Sequence, residues 1–100
     1  MAFSICITKK GRIDFEKLNQ LSQNLDRDFV TVFPITKNSF TDEQGLGLSI
    51  NLKNDYSGFW TELKPFLQQL SKMGYNIIEL YNGENLKKDI DKLRDYLINS

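Results

Sequence analysis

The stretch TKKGRID, residues 8–14, is where this sequence comes nearest to a reactive site. Lys9, Lys10 and Arg12 surround Gly11, between a strand-like run and a helix-like one. Cations in that position suit an anion, because first-turn N–H groups and the helix dipole both favour negative charge. The chemistry on offer is small-anion binding or a phosphatase-like reaction. A second stretch, SFTDEQGLGLSI (39–50), sets Gly45 and Gly47 one residue apart. Glycines that cradle phosphate follow a strand and open a helix. Here they precede an alternating apolar run, a third glycine is missing, and Asp42 and Glu43 would repel phosphate. The stretch reads as the loop of a hairpin.

The remaining inventory is poor in groups that make or break bonds. There is no histidine, the side chain most used for proton transfer near neutral pH and the commonest metal ligand. Cys6 is the only cysteine, so neither an intrachain disulfide nor a zinc-binding cluster can form. Its setting in an apolar strand reads as packing. No cofactor and no metal is expected. Thirteen basic and 13 acidic residues cancel, leaving no field to recruit nucleic acid or an anionic membrane.

The elements that must position these groups are legible from periodicity. FSICIT (3–8) alternates as a half-buried strand does. Asp14 is placed as an N-cap, with Ile13 and Leu18 flanking it as a staple, and Phe15, Leu18, Leu21 and Leu25 predict a helix over 14–25. DFVTVFPIT (28–36) is β-branched and aromatic, and Pro34 assigns this second strand to a sheet edge or end. LGLSINLK (46–53) alternates strictly. Phe59, Leu63, Phe66, Leu67 and Leu70 define a second helix. Pro65 either bends that helix or belongs to its first turn. Gly74 ends it, YNIIELY (75–81) is a fourth strand, and Leu86, Ile90, Leu93 and Leu97 form a last amphipathic helix.

The order β-α-β-β-α-β-α in a single domain, 1–100, predicts an α+β fold. Its simplest solution is the ferredoxin-like split β-α-β sandwich with an added C-terminal helix. Right-handed crossovers then set the strands in the order 4-1-3-2. Acylphosphatase-type enzymes of that fold hold phosphate at the turn equivalent to 9–12, but their longer arginine-containing signature is not reproduced here. Four-stranded RNA-binding sheets stack bases on aromatics of their first and third strands. The outward residues here are Ser4, Cys6, Thr8, Gly47, Ser49, Asn51 and Lys53, without an aromatic, so nucleic acid is not an expected partner. Strands 2 and 4 are apolar on both sides. The last helix is expected to cover part of the second face; the alternative is a partner or a second copy, joined through the strand-4 face.

With that strand order the turns sort by charge. One end collects Lys9, Lys10, Arg12, Lys37 and Lys72 against Asp42 and Glu43. The other collects Asp26, Asp28, Asp55 and Glu84 against Arg27 and Lys53. Tyr56 stands beside the acidic group as an aromatic anchor, joined by Trp60, which lies at the border of its helical stripe and reads as a core-edge residue before an exposed anchor. The expected function is therefore that of a non-enzymatic binding protein, specifically a small bacterial immunity or antitoxin protein. It would neutralise a basic toxin, such as a nuclease, by occluding its active site. The residues assigned to partner binding are Asp26, Asp28, Asp55, Tyr56, Trp60, Glu84, Asp42 and Glu43. The competing readings are the anion-binding enzyme using 9–12 and a homodimeric structural or regulatory module. The N-terminal run carries its charges after a short apolar core, unlike a secretory signal, and no run approaches the ~18 apolar residues of a membrane span. A cytoplasmic address is expected.

Overall fold

A computed structural model describes residues 2–35, 43–51 and 57–98. In chain order they form β1 (Ala2–Lys9), α1 (Phe15–Ser22), β2 (Val30–Ile35), β3 (Gln44–Asn51), α2 (Ser57–Lys72), β4 (Asn76–Glu79) and α3 (Asp91–Ile98). The chain is α+β. Its strands make one antiparallel sheet in the order β2-β3-β1-β4, which runs 4-1-3-2 when read from β4. Among the described residues no helix is long and apolar enough to cross a membrane.

Alternation within the strands decides which side of the sheet is dry. Ile5 lies opposite Leu48, Ile7 opposite Leu46 and Ile77, and Phe3 opposite Ile50, so these side chains share one face. Val30 and Val32, opposite Ile50 and Leu48, join it from β2. Leu18 of α1, Leu63, Leu67 and Leu70 of α2, and Leu93 and Leu97 of α3 close over that face in one continuous core. Each such side chain contributes roughly 1.5–3 kcal/mol on burial.

α3 therefore does not cover the second face, as the sequence led us to expect. It lies in the same layer as the other helices. Tyr96 stacks on Phe3 of the core face at 5.7 Å between ring centroids, and Lys64 of α2 pairs with Asp91 at 2.7 Å. Leu86, read as the start of this helix, precedes it but is still buried, held by its N–H donating to the Ile77 carbonyl at 2.7 Å. The 86–97 stripe aims at one core although only its second half is helical.

Other boundaries shift for identifiable reasons. α1 starts as expected, with the Asp14 carboxylate accepting from the Lys17 N–H at 3.1 Å, but it stops at Ser22. The Ser22 hydroxyl turns back onto the Asn19 carbonyl, and Leu25 reaches the core from a turn beyond the helix. Pro65 lies inside α2, on its exposed side, so the later start is not adopted. Gly74, at φ 93, closes α2: its N–H meets the Ser71 carbonyl, and that of Tyr75 meets Leu70. This is the Schellman arrangement, which favours glycine at that position. Gly45, read as a loop glycine, belongs to β3 itself, as Gly47 does. Gly47 sits opposite Phe33, whose ring lies across the space a side chain there would need.

Candidate functional site

The register settles which turns share an end. Lys9 is paired with Gln44, and Thr8 with Asn76, so the 10–12 and 73–75 turns and Glu43 stand together. Ala2 is paired with Asn51, Val30 with Ile50 and Ile5 with Glu79, so the 26–28 and 80–84 turns share the other end. Asp42, Asp55 and Tyr56, and with them Lys37, Leu52 and Lys53, lie outside the described residues.

At the first end the cations are differently employed. Lys9 holds its ammonium 4.8 Å from the centre of the Tyr75 ring, a cation–π contact, while Lys10 and Arg12 are exposed. Burial, and secondarily the Asp14 charge, push the Tyr75 phenol up. The α1 N-terminus, where an anion would dock, already has the Asp14 carboxylate on it. Glu43, assigned to partner binding, is instead buried beside the sheet. It accepts from the Thr8 hydroxyl at 3.3 Å and the Asn76 amide at 2.9 Å, and Asn85 in turn donates to Asn76. Its role is to satisfy polar groups at the strand ends rather than to form a rim.

At the second end Asp26 and Asp28 are exposed. Asp26 shapes the turn by accepting from the Asp28 N–H at 2.9 Å. Trp60 is only 9% exposed and belongs to the core, so its ring is not offered to a partner. Among the described residues, the exposed aromatic at this end is Tyr81, 84% accessible, beside Leu80 at 53%. Both were read as strand residues. β4 instead stops at Glu79, because the Glu79 carboxylate accepts the N–H groups of Tyr81, Asn82 and Glu84 at 2.8–3.0 Å and folds the chain into a turn around itself. Glu79 is 0% exposed and lies opposite Ile5, on the core side. The signal was present in the sequence: Tyr75, Ile77 and Glu79 alternate onto one face, and Asn82-Gly83 follows.

Glu84 shares this turn. Lys92 and the Tyr96 hydroxyl both donate to its carboxylate, and these hydrogen bonds, with the Lys92 charge, hold the carboxyl below the ordinary glutamate range. The depressed value fixes the sign of a pH effect. Stability from this contact is present above the unfolded pKa and is lost as pH falls through the folded one. Acid titration of the melting temperature should therefore show a steeper loss in the natural chain than in Glu84→Gln; superimposable curves would show that the contact contributes nothing.

The open face of the sheet is assembled by the same register. Phe33, Gly47, Cys6 and Ile78 form one row across it, and Thr31, Ser49, Ser4 and Leu80 the next. Burial pushes the Cys6 thiol up. Phe33 is 40% exposed and is the aromatic of this face, on the edge strand rather than on β1 or β3. No group of three or more metal-ligating side chains gathers among the described residues. The described surface thus presents Asp26 and Asp28 at one end and a partly apolar sheet face around Phe33.

Compared with protein-family models, with curated proteins and with solved structures, the chain has no match.

Proposed function

We propose that this chain is a non-enzymatic binding protein of the immunity or antitoxin type. It would neutralise a basic partner, such as a nuclease, by occluding that partner's active site. The surface assigned to the task is the sheet end with Asp26 and Asp28 on the β2 side and Tyr81 on the β4 side. The observation that carries the reading is their joint exposure at one end, with Lys10 and Arg12 exposed at the other. An accessible aromatic on one side of the sheet end and carboxylates on the other provide an anchor and electrostatic steering. Tyr81 takes the place that Trp60 had in the sequence reading; Asp55 and Tyr56 stay in the proposed surface by sequence position. The anion-binding alternative is less favoured, since Lys9 and the α1 N-terminus are already engaged.

The architecture is taken to be the ferredoxin-like split β-α-β sandwich with an added helix. Its support is the strand order and the helix between β1 and β2 and between β3 and β4. Fold alone supplies no function. The cytoplasm is the proposed address.

Capture of the host partner by the full chain tests the reading. The double variant Asp26→Lys, Asp28→Lys should weaken binding at least about tenfold, and added salt should slow association. Lys10→Ala should leave binding intact. Undiminished affinity in the charge-reversed chain defeats the proposal. So does a phosphate analogue that raises the melting temperature of the natural chain and not of Lys10→Ala.

A further inference from the structure

Asn82 is the one asparagine of this sequence that is followed by glycine. Both residues of the pair are exposed, and no hydrogen bond holds the Asn82 carboxamide among the described residues. Asn76 and Asn85 differ on each count. They precede Ile77 and Leu86, and their side chains are engaged, Asn76 with Glu43 and Asn85 with Asn76. The difference matters because a carboxamide is an electrophile as well as a hydrogen-bonding group. The backbone nitrogen of the next residue can add to its Cγ and close a succinimide ring. Glycine favours that closure, since no Cβ obstructs the approach and its backbone reaches the required torsions freely.

In the closed turn the attacking nitrogen is occupied. The Gly83 N–H donates to the Glu79 carbonyl at 3.0 Å, and the Asn82 N–H donates to both oxygens of the Glu79 carboxylate at 2.9 and 3.0 Å. One residue thus grips the peptide N–H on either side of the Asn82 Cα. The Glu79 N–H in turn donates to the Glu84 carbonyl at 3.0 Å and the Leu86 N–H to the Ile77 carbonyl at 2.7 Å, so the returning chain seals the outer side of β4.

We propose that Asn82 is a site of spontaneous covalent modification, converted through a succinimide with Gly83 to aspartate and isoaspartate, and that the Glu79 clasp governs its rate. The Gly83 nitrogen gives its proton to solvent and bonds to the Asn82 Cγ; the Cγ–Nδ2 bond breaks and ammonia leaves. Water then adds to either ring carbonyl and opens the ring. The sum consumes water and releases ammonia, with no change of oxidation state. While Glu79 holds the Gly83 N–H, its proton is retained and rotation toward the carboxamide is resisted, so the reaction runs from the opened turn. The products alter the surface. Aspartate adds a negative charge beside Tyr81, at the end that carries Asp26 and Asp28, to a chain of formal net charge +0. Isoaspartate inserts a methylene into the main chain between the two N–H groups that Glu79 grips, which loosens the clasp.

Peptide mass spectrometry of the full chain, incubated in water enriched in heavy oxygen, tests this. The conversion of amide to carboxyl should appear at Asn82 before any other asparagine, with isoaspartate among the products. The urea-unfolded chain should react there at least about tenfold faster than the folded one. Protection of the Gly83 amide against hydrogen exchange should account for that factor, since one bond gates both processes. Glu79→Gln should speed the reaction in the folded chain, and Asn82→Gln should abolish it at this position. If Glu79→Gln does not fold, the comparison of folded and unfolded natural chain decides alone. An Asn82 that stays intact in the folded chain overturns the assignment of the site, as does earlier conversion of another asparagine. Equal rates in folded and unfolded chains overturn the role of Glu79.

Discussion

Gly45→Ala is expected to destabilise the fold by about 3 kcal/mol, an unusual cost for one methyl group. Gly45 lies in β3 between Thr8 and Ile35, and a Cβ there would fall on the Ile7 carbonyl oxygen, well inside contact distance. The obstruction is backbone in the neighbouring central strand, not a side chain that can swing away. Relief requires β1 and β3 to part, and Ile5, Ile7, Leu46 and Leu48 pack on those strands. At this chain length the loss corresponds to a drop in melting temperature of roughly 15 °C. Gly47→Ala is the control. The nearest atoms its Cβ would meet are those of the Phe33 ring, which is partly exposed and can rotate outward, so about 1 kcal/mol is expected. Urea denaturation of both variants checks the pair. Equal costs would show that close backbone approach is not what glycine supplies at position 45.

Glu79→Ala should cost a similar amount, about 3 kcal/mol, by another mechanism. The carboxylate accepts the N–H groups of Tyr81, Asn82 and Glu84 from a position closed to solvent. Removing it strands donors and leaves a void beneath the turn. Glu79→Gln keeps the shape but sets an amide NH2 where one acceptor stood, so an intermediate loss is expected. The amides of Tyr81, Asn82 and Glu84 should exchange faster in both variants while those of β1 and β3 stay protected. Unchanged exchange in this turn would mean that Gly83 and the Gly83 N–H to Glu79 carbonyl bond shape it without the side chain. The result bears on function, because the same turn carries Tyr81.

Much of the architecture was readable before any coordinates. Short-period alternation in 3–8 and 46–53 and helical spacing in 59–70 report local burial, which one residue's neighbours in sequence are enough to reveal. Pro34 announced an edge strand because its missing N–H is a local chemical fact. Asp14 announced a helix start for the same reason.

The candidate site was less legible, since it depends on groups far apart in the chain. Glu43 looked available because its exposure is set by Thr8 and Asn76, which lie elsewhere in sequence, while Trp60, at the border of its helical stripe, is taken into the core. Tyr81 looked like a strand residue because the β-type run continues through it; Glu79 on the core-facing side, followed by Asn82-Gly83, was the local sign of an earlier turn.

By itself, then, the sequence determined the α+β class, the order of the elements and the absence of histidine chemistry, all consequences of residue type and short-range pattern. Only the tertiary structure decided that α3 joins the helix layer rather than the second face, that β4 is sealed by its own chain, and that Gly45 serves the strand rather than a loop. Those outcomes depend on which strands become neighbours and in what register, and pairing free energy of that kind is spread over contacts between distant segments that no local pattern encodes.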